Sequence, residues 1–160
     1  MSGDGTPFRR VEQALLALAA VTILLMMMLT AVDVVGRYFL SSPVPGAFEL
    51  TEFAMAIAIF AALPVVVLRK AQVTADLVSG SLGRLGTYLL GLVTDLAGLA
   101  LFSLLAWRLW IEGIEVARYG TTAGILHLPL APLAFYAAVL SGVSALVHLH
   151  HLVTRIRGQA

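Results

Sequence analysis

The sequence predicts an all-α, polytopic membrane protein with four transmembrane helices and both termini in the cytoplasm. Hydrophobic residues make up 60% of the 160 residues and charged residues only 12%, with a mean hydropathy of +0.97, whereas about 25% of a soluble domain is charged. Four apolar runs are each long enough to cross the roughly 30 Å hydrocarbon core of a bilayer. The basic residues between these runs are unevenly distributed, which predicts the orientation. We therefore expect a single four-helix membrane domain over residues 1–160.

The first predicted span covers about residues 13–40. Its uncharged part ends at Asp33, and Arg37 follows four residues later. An acid four residues before a base is the favourable order for an ion pair on a helix. We therefore expect the helix to continue past its apolar part, until Pro43 and Pro45 end it.

The second predicted span covers about residues 47–68. Glu49 and Glu52 fall in its first turns, where the positive end of the helix dipole favours carboxylates. Arg69 and Lys70 follow the span and match the negative end of the dipole. Plain helix capping is one interpretation of the two glutamates, and a role in binding a partner is the other.

The third predicted span covers about residues 85–107, and Asp95 interrupts it near the middle. Gly91, Asp95 and Gly98 share one helical face because they are spaced i, i+4 and i+7. Glycines allow another helix to approach closely, and an acid in a membrane helix is expected to face protein rather than lipid. Three interpretations of Asp95 stay open: an ion path, a hydrogen bond to Tyr136 or a threonine, or contact with a partner protein.

The last part of the chain contains a charged helix extension and the fourth span. Arg108 and Glu112, and then Glu115 and Arg118, have helical spacing, which predicts that the third helix projects beyond the membrane by two or three turns. The fourth span covers about residues 126–153 and begins with prolines, which are tolerated at the start of a helix.

The distribution of basic residues predicts the orientation. Seven lie on the segments that share a side with the N-terminus: Arg9, Arg10, Arg69, Lys70, Arg84, Arg155 and Arg157. Three lie on the opposite side: Arg37, Arg108 and Arg118. The positive-inside rule then places both termini in the cytoplasm and the Asp33–Glu52 and Trp107–Gly124 hairpins outside.

The sequence gives no support for catalysis, cofactors or nucleic-acid binding. It has no cysteine and a net charge of +1. All four histidines are expected on the fourth span, where His127 and His148 would lie about 31 Å apart along the helix and could not share a haem. We find no nucleophile–base pair, metal-ligand spacing or phosphate-binding glycine loop. We therefore expect no enzyme, no metal and no cofactor.

Several short motifs resemble the small permease subunit of TRAP transporters, the tripartite ATP-independent periplasmic transporters. The resemblance covers the whole chain and rests on these stretches: Arg37-Tyr38-Phe39, Pro45-Gly46, Glu49-Leu50, Arg69, Asp76-Leu77 and Leu128-Pro129-Leu130. Members often carry a histidine two residues beyond the basic pair, where this chain has Gln72. The resemblance implies a subunit of the bacterial inner membrane that packs beside a large permease subunit of about twelve spans.

The resemblance also implies a function. The large subunit would carry the substrate and sodium sites, and a periplasmic solute-binding protein would deliver an organic acid for sodium-coupled symport. This chain would then be a rigid scaffold. The alternatives are a self-sufficient oligomeric channel or transporter built around Asp95, and a cytochrome-type membrane anchor. As residues that contact partners we predict Asp33, Arg37, Glu49, Glu52, Arg69, Lys70, Asp76, Gly91, Asp95, Gly98, Glu112 and Glu115.

Overall fold

A computed structural model describes the chain over residues 6–78 and 84–158, with side chains described over 9–69, 86 and 88–158. The described chain contains four long helices and one short two-stranded ladder. The helices are α1 (Thr6–Phe39), α2 (Ala47–Val78), α3 (Arg84–Tyr119) and α4 (Leu130–Ile156). The strands β1 (Thr122–Ala123) and β2 (Leu128–Pro129) pair antiparallel between α3 and α4.

Each helix contains a stretch that is long and apolar enough to cross a membrane. These stretches are Arg9–Phe39, Ala47–Arg69, Tyr88–Tyr119 and Leu130–Ile156. The prediction of an all-α protein with four membrane-length helices is therefore confirmed.

Two helix ends agree with the sequence prediction, and the start of the fourth helix differs. The first helix ends at Phe39, and α3 continues to Tyr119, as the spacing of its charged residues predicted. The fourth helix begins at Leu130 rather than near residue 126, because residues 128–129 pair with β1 and Pro129 caps the helix. The expectation that all four histidines lie on that helix is therefore wrong: His127 precedes it, with a positive φ of 51°.

Helices α2 and α4 form the centre of the bundle, with α1 packed on α2 and α3 packed on α4. The most extensive helix contacts are those of α3 with α4, α1 with α2, and α2 with α4. Small residues of these two central helices, Ala61 of α2 and Ser141 and Ser144 of α4, are completely buried. Small side chains let helix backbones approach closely, which is how membrane helices gain packing energy.

The two flanking helices leave most of their apolar surface uncovered. Only 11% of the most apolar stretch of α1, and the same share in α3, is buried within the chain, against 28% for α2 and 33% for α4. Exposed large side chains on the flanks include Leu25 and Met27 of α1 and Val93 and Leu101 of α3. In a membrane these faces must contact lipid or another protein.

Candidate functional site

Asp95 lies in the first third of the 36-residue helix α3, because the helix continues well beyond the predicted span 85–107. Its side chain is 5% exposed. The face that Asp95 shares with Gly91 and Gly98 is turned toward α4, because both glycines lie against α4 side chains. The acid is therefore level with the last turns of α4.

Arg155, near the end of α4, is the ion-pair partner of Asp95. Its Nε donates a hydrogen bond to Asp95 Oδ2 over 3.1 Å, and its side chain is 21% exposed. Gly91 makes room for this contact, since any Cβ at position 91 would collide with the Arg155 guanidinium group. A close charged pair at this burial neutralises a carboxylate that would otherwise be costly among apolar helices.

His148 lies on the other side of the same carboxylate. Its Nδ1 is 3.7 Å from Asp95 Oδ1, which is too long for a hydrogen bond. The ring stacks on Phe102 with centroids 5.7 Å apart and planes 20° from parallel. Gly98 lies directly under the ring, so a side chain there would displace it. Asp95, Arg155, His148 and Phe102 form what we call the inner cluster.

The inner cluster identifies the hydrogen-bond donor to Asp95 within the chain. Tyr136 was a predicted donor, but its hydroxyl donates to the backbone oxygen of Ile57 over 3.0 Å, so it serves the α2–α4 contact instead. The donor to Asp95 is Arg155, which sequence reasoning missed because it lies 60 residues away. The geometry favours a structural role, with the charge of Asp95 balanced inside its own chain.

Asp33 organises the turn between α1 and α2. Its Oδ2 accepts a hydrogen bond from Arg37 Nη2 over 2.7 Å, so the predicted ion pair is present. Its Oδ1 accepts a second bond, over 2.9 Å, from the backbone N–H of Val44. The intervening turn reverses through Ser41, whose φ is 50°. One carboxylate thus ties the end of α1 to the start of α2.

Glu49 joins the start of α2 to the loop between α3 and α4. Its Oε2 accepts a hydrogen bond from the backbone N–H of Leu126 over 2.9 Å, and its Oε1 accepts one from Ile125. Gly124 lies against the carboxylate and has a φ of 62°, a conformation that favours glycine. The sequence suggested helix capping or partner binding for Glu49, whereas the structure gives it a long-range role in holding this loop.

Removing the Glu49 carboxylate should loosen the loop without unfolding the helices. In Glu49→Ala, the N–H groups of Ile125 and Leu126 lose their acceptor, so their hydrogen exchange should become several-fold faster. Exchange measured by mass spectrometry on the membrane-embedded protein tests this. Glu52→Ala is the matched control, because Glu52 is exposed on the next turn of the same helix. Equal exchange in the two variants would show that Glu49 does not hold the loop.

The remaining predicted residues are distributed over both ends of the bundle. Glu52, Glu112 and Glu115 are exposed. Arg69 pairs with Glu12 of α1, with its Nε 2.9 Å and its Nη2 2.8 Å from Glu12 Oε1, a contact that the sequence did not suggest. The side chains of Lys70 and Asp76 lie outside the described residues. Within the described part of the chain, no three His, Cys, Asp or Glu side chains are grouped to hold a metal ion.

Comparison with known protein families identifies the family of this chain. Residues 26–158 match the family described as tripartite ATP-independent periplasmic transporters, DctQ component. The chain belongs to the DctQ family. It is thus the small membrane subunit of a TRAP transporter, which confirms the resemblance drawn from its motifs. No curated protein and no solved structure matches the chain significantly.

The DctQ match covers the elements that carry both carboxylate ties and the inner cluster. It begins within α1, before Asp33, and it ends after Arg155. DctQ is a transporter component family rather than an enzyme family. The DctQ component described here therefore has four membrane-length helices, one internally paired acid in α3, and two loops at the opposite end that are tied by carboxylates.

Proposed function

We propose that this DctQ component scaffolds the large permease subunit and helps to dock a periplasmic solute-binding protein, in a transporter for sodium-coupled uptake of an organic acid across the bacterial inner membrane. One observation carries the scaffold role: Asp95 is 5% exposed and paired with Arg155 of the same chain. An acid on an ion path has to exchange its ion or proton. An acid that is ion-paired with an arginine, with a histidine and a phenylalanine packed beside it, is suited to holding α3 against α4.

The proposed contact with the large subunit uses the flanking helices. Most of the apolar surface of α1 and α3 is uncovered within the chain. A subunit that packs against another membrane protein needs uncovered apolar faces of this kind. Each of the four described helices is continuous, even at Pro64 inside α2, whereas transport sites use helices that are broken at mid-depth. We expect the subunit to keep its conformation while the large subunit moves, with both of its termini in the cytoplasm.

The proposed docking surface for the solute-binding protein lies at the end of the bundle that carries the tied loops. Glu112 and Glu115 are exposed in the last turns of α3, next to the loop that Glu49 holds. Asp33 fixes the neighbouring turn at the same end. A rigid surface lowers the entropy cost of binding, and exposed rim charges steer the approach of a partner.

Co-purification tests the proposed complex. Affinity capture of this chain from its native membranes, under mild detergent, should recover a large polytopic membrane protein in equimolar amount. Native mass spectrometry then gives the composition of the complex. A homo-oligomer without a second subunit would contradict the proposal and support the oligomeric channel, whereas a haem absorbance band would support the membrane anchor.

Charge reversal tests the docking surface. The Glu112→Lys/Glu115→Lys double variant should change the association rate of the solute-binding protein most at low ionic strength, because salt screens exposed charges beyond about 10 Å at 0.1 M. The measurement is surface plasmon resonance on the reconstituted complex over a salt series. Reversal of Arg157, which is exposed at the other end of the bundle, is the control. An unchanged rate at every salt concentration would remove these glutamates from the docking surface.

A further inference from the structure

An open apolar groove runs between α2 and α4 at what we call the arginine end, the end of the bundle where α1 begins and α4 ends. Two adjoining hollows share Leu68, Val143 and Val147, so they form one groove. The larger hollow has a volume of about 550 Å³. Its wall is made by Leu68, Val143, Leu146, Val147, His150 and His151.

The rim of the groove carries cationic and titratable groups. Glu12 lines the smaller hollow and holds the guanidinium group of Arg69, whose side chain is still 60% exposed. His150 is exposed at the larger hollow, and His151 lies beside it. The groove is therefore apolar along its length, and its mouth carries two histidine rings and the exposed guanidinium group that is paired with Glu12.

We propose that this groove binds an anionic phospholipid. One acyl chain lies along Leu68, Val143 and Val147, and the phosphate group binds Arg69 and His150 at the mouth. Basic pockets between transmembrane helices are the usual sites for anionic headgroups. This inference is independent of the proposed scaffold function, because the larger hollow is lined by α2 and α4, whereas the proposed subunit contact uses the uncovered faces of α1 and α3.

The size of the groove favours a lipid chain over a helix of a partner protein. Three turns of helix, about 16 Å long and 10–12 Å wide, occupy on the order of 1,500 Å³. The larger hollow holds about a third of that volume, which is within the roughly 300–1,000 Å³ range of small-molecule sites. A flexible hydrocarbon chain fits such a space, and an anionic headgroup complements the arginine and histidine at its mouth.

Lipid retention tests the proposal. The full chain, with the subunits that co-purify with it, is exchanged into micelles containing equal amounts of phosphatidylglycerol and phosphatidylcholine, and bound lipid is counted by native mass spectrometry. Wild type should retain phosphatidylglycerol. Val143→Trp fills the groove and should lower retention about tenfold, whereas Val139→Trp, at an exposed valine of α4 outside the groove lining, should retain it like wild type. Equal retention in the two tryptophan variants would overturn the proposal.

A second variant tests the headgroup contact with the groove left intact. Arg69→Gln removes the guanidinium group, and preference for phosphatidylglycerol over phosphatidylcholine should fall at least about fivefold, as expected for the loss of one basic residue near the headgroup. An unchanged preference would overturn the assignment of Arg69. If Val143→Trp is not recovered from membranes, this variant still tests whether the groove binds an anionic phospholipid.

Photo-crosslinking identifies the occupant directly. A photoreactive amino acid at position 147, in native membranes, should yield a lipid adduct on this chain. A crosslink to a second protein at that position would show that a partner helix fills the groove, and the proposal would then be wrong.

Discussion

Asp95→Ala should destabilise the protein by about 3 kcal/mol, because it leaves the largely buried guanidinium group of Arg155 without its partner. The bond from Arg155 Nε to Asp95 Oδ2 joins α3 to α4, which form the most extensive helix contact of the bundle. The loss should appear as a lower midpoint when the purified complex is titrated with denaturing detergent.

A double-mutant cycle separates the ion pair from other effects of the substitution. Asp95→Ala/Arg155→Ala removes both charges together, so it should be more stable than Asp95→Ala alone. Arg157→Ala changes an exposed arginine two residues further on and should have little effect. Strictly additive losses in the cycle would mean that Asp95 and Arg155 are not coupled.

Gly98→Leu should also destabilise the protein, by about 1–3 kcal/mol, because overpacking forces neighbouring side chains out of place. A Cβ at position 98 would collide with the His148 ring, and that ring is stacked on Phe102. The same detergent titration measures the loss.

Gly142→Leu is the matched control for this steric effect. Gly142 lies on α4, and a Cβ built there meets no atom within 4 Å. The variant should therefore be close to wild type in its unfolding midpoint. If both leucine variants were equally stable, the close approach of α3 and α4 at Gly98 would be excluded.

Much of the fold could be predicted from local features of the sequence. Apolar runs define the four helices, since a membrane-length run with few charges has few alternatives. The pairing of Asp33 with Arg37 follows from spacing within one helix. The glycines at 91 and 98 predicted a face of α3 that other helices approach, and the structure places α4 there.

The long-range contacts could not be predicted, because spacing within a helix carries no information on which helices are neighbours. Arg155 was interpreted as a residue at the end of the chain, but the packing of α4 on α3 brings it level with Asp95. Glu49 was interpreted from the dipole of its own helix, yet the groups that it binds are backbone N–H groups more than 70 residues away. The Glu12–Arg69 pair depends in the same way on the packing of α1 against α2.

Reconstitution into proteoliposomes tests most directly whether this DctQ component is a structural subunit. Vesicles containing this chain alone should show no solute or sodium flux, since Asp95, the acid at the α3–α4 contact, is ion-paired with Arg155. Vesicles containing the large subunit, with the solute-binding protein added, should take up substrate only when this chain is also present. Flux through the chain alone would contradict the scaffold role, and so would full uptake by the large subunit without it.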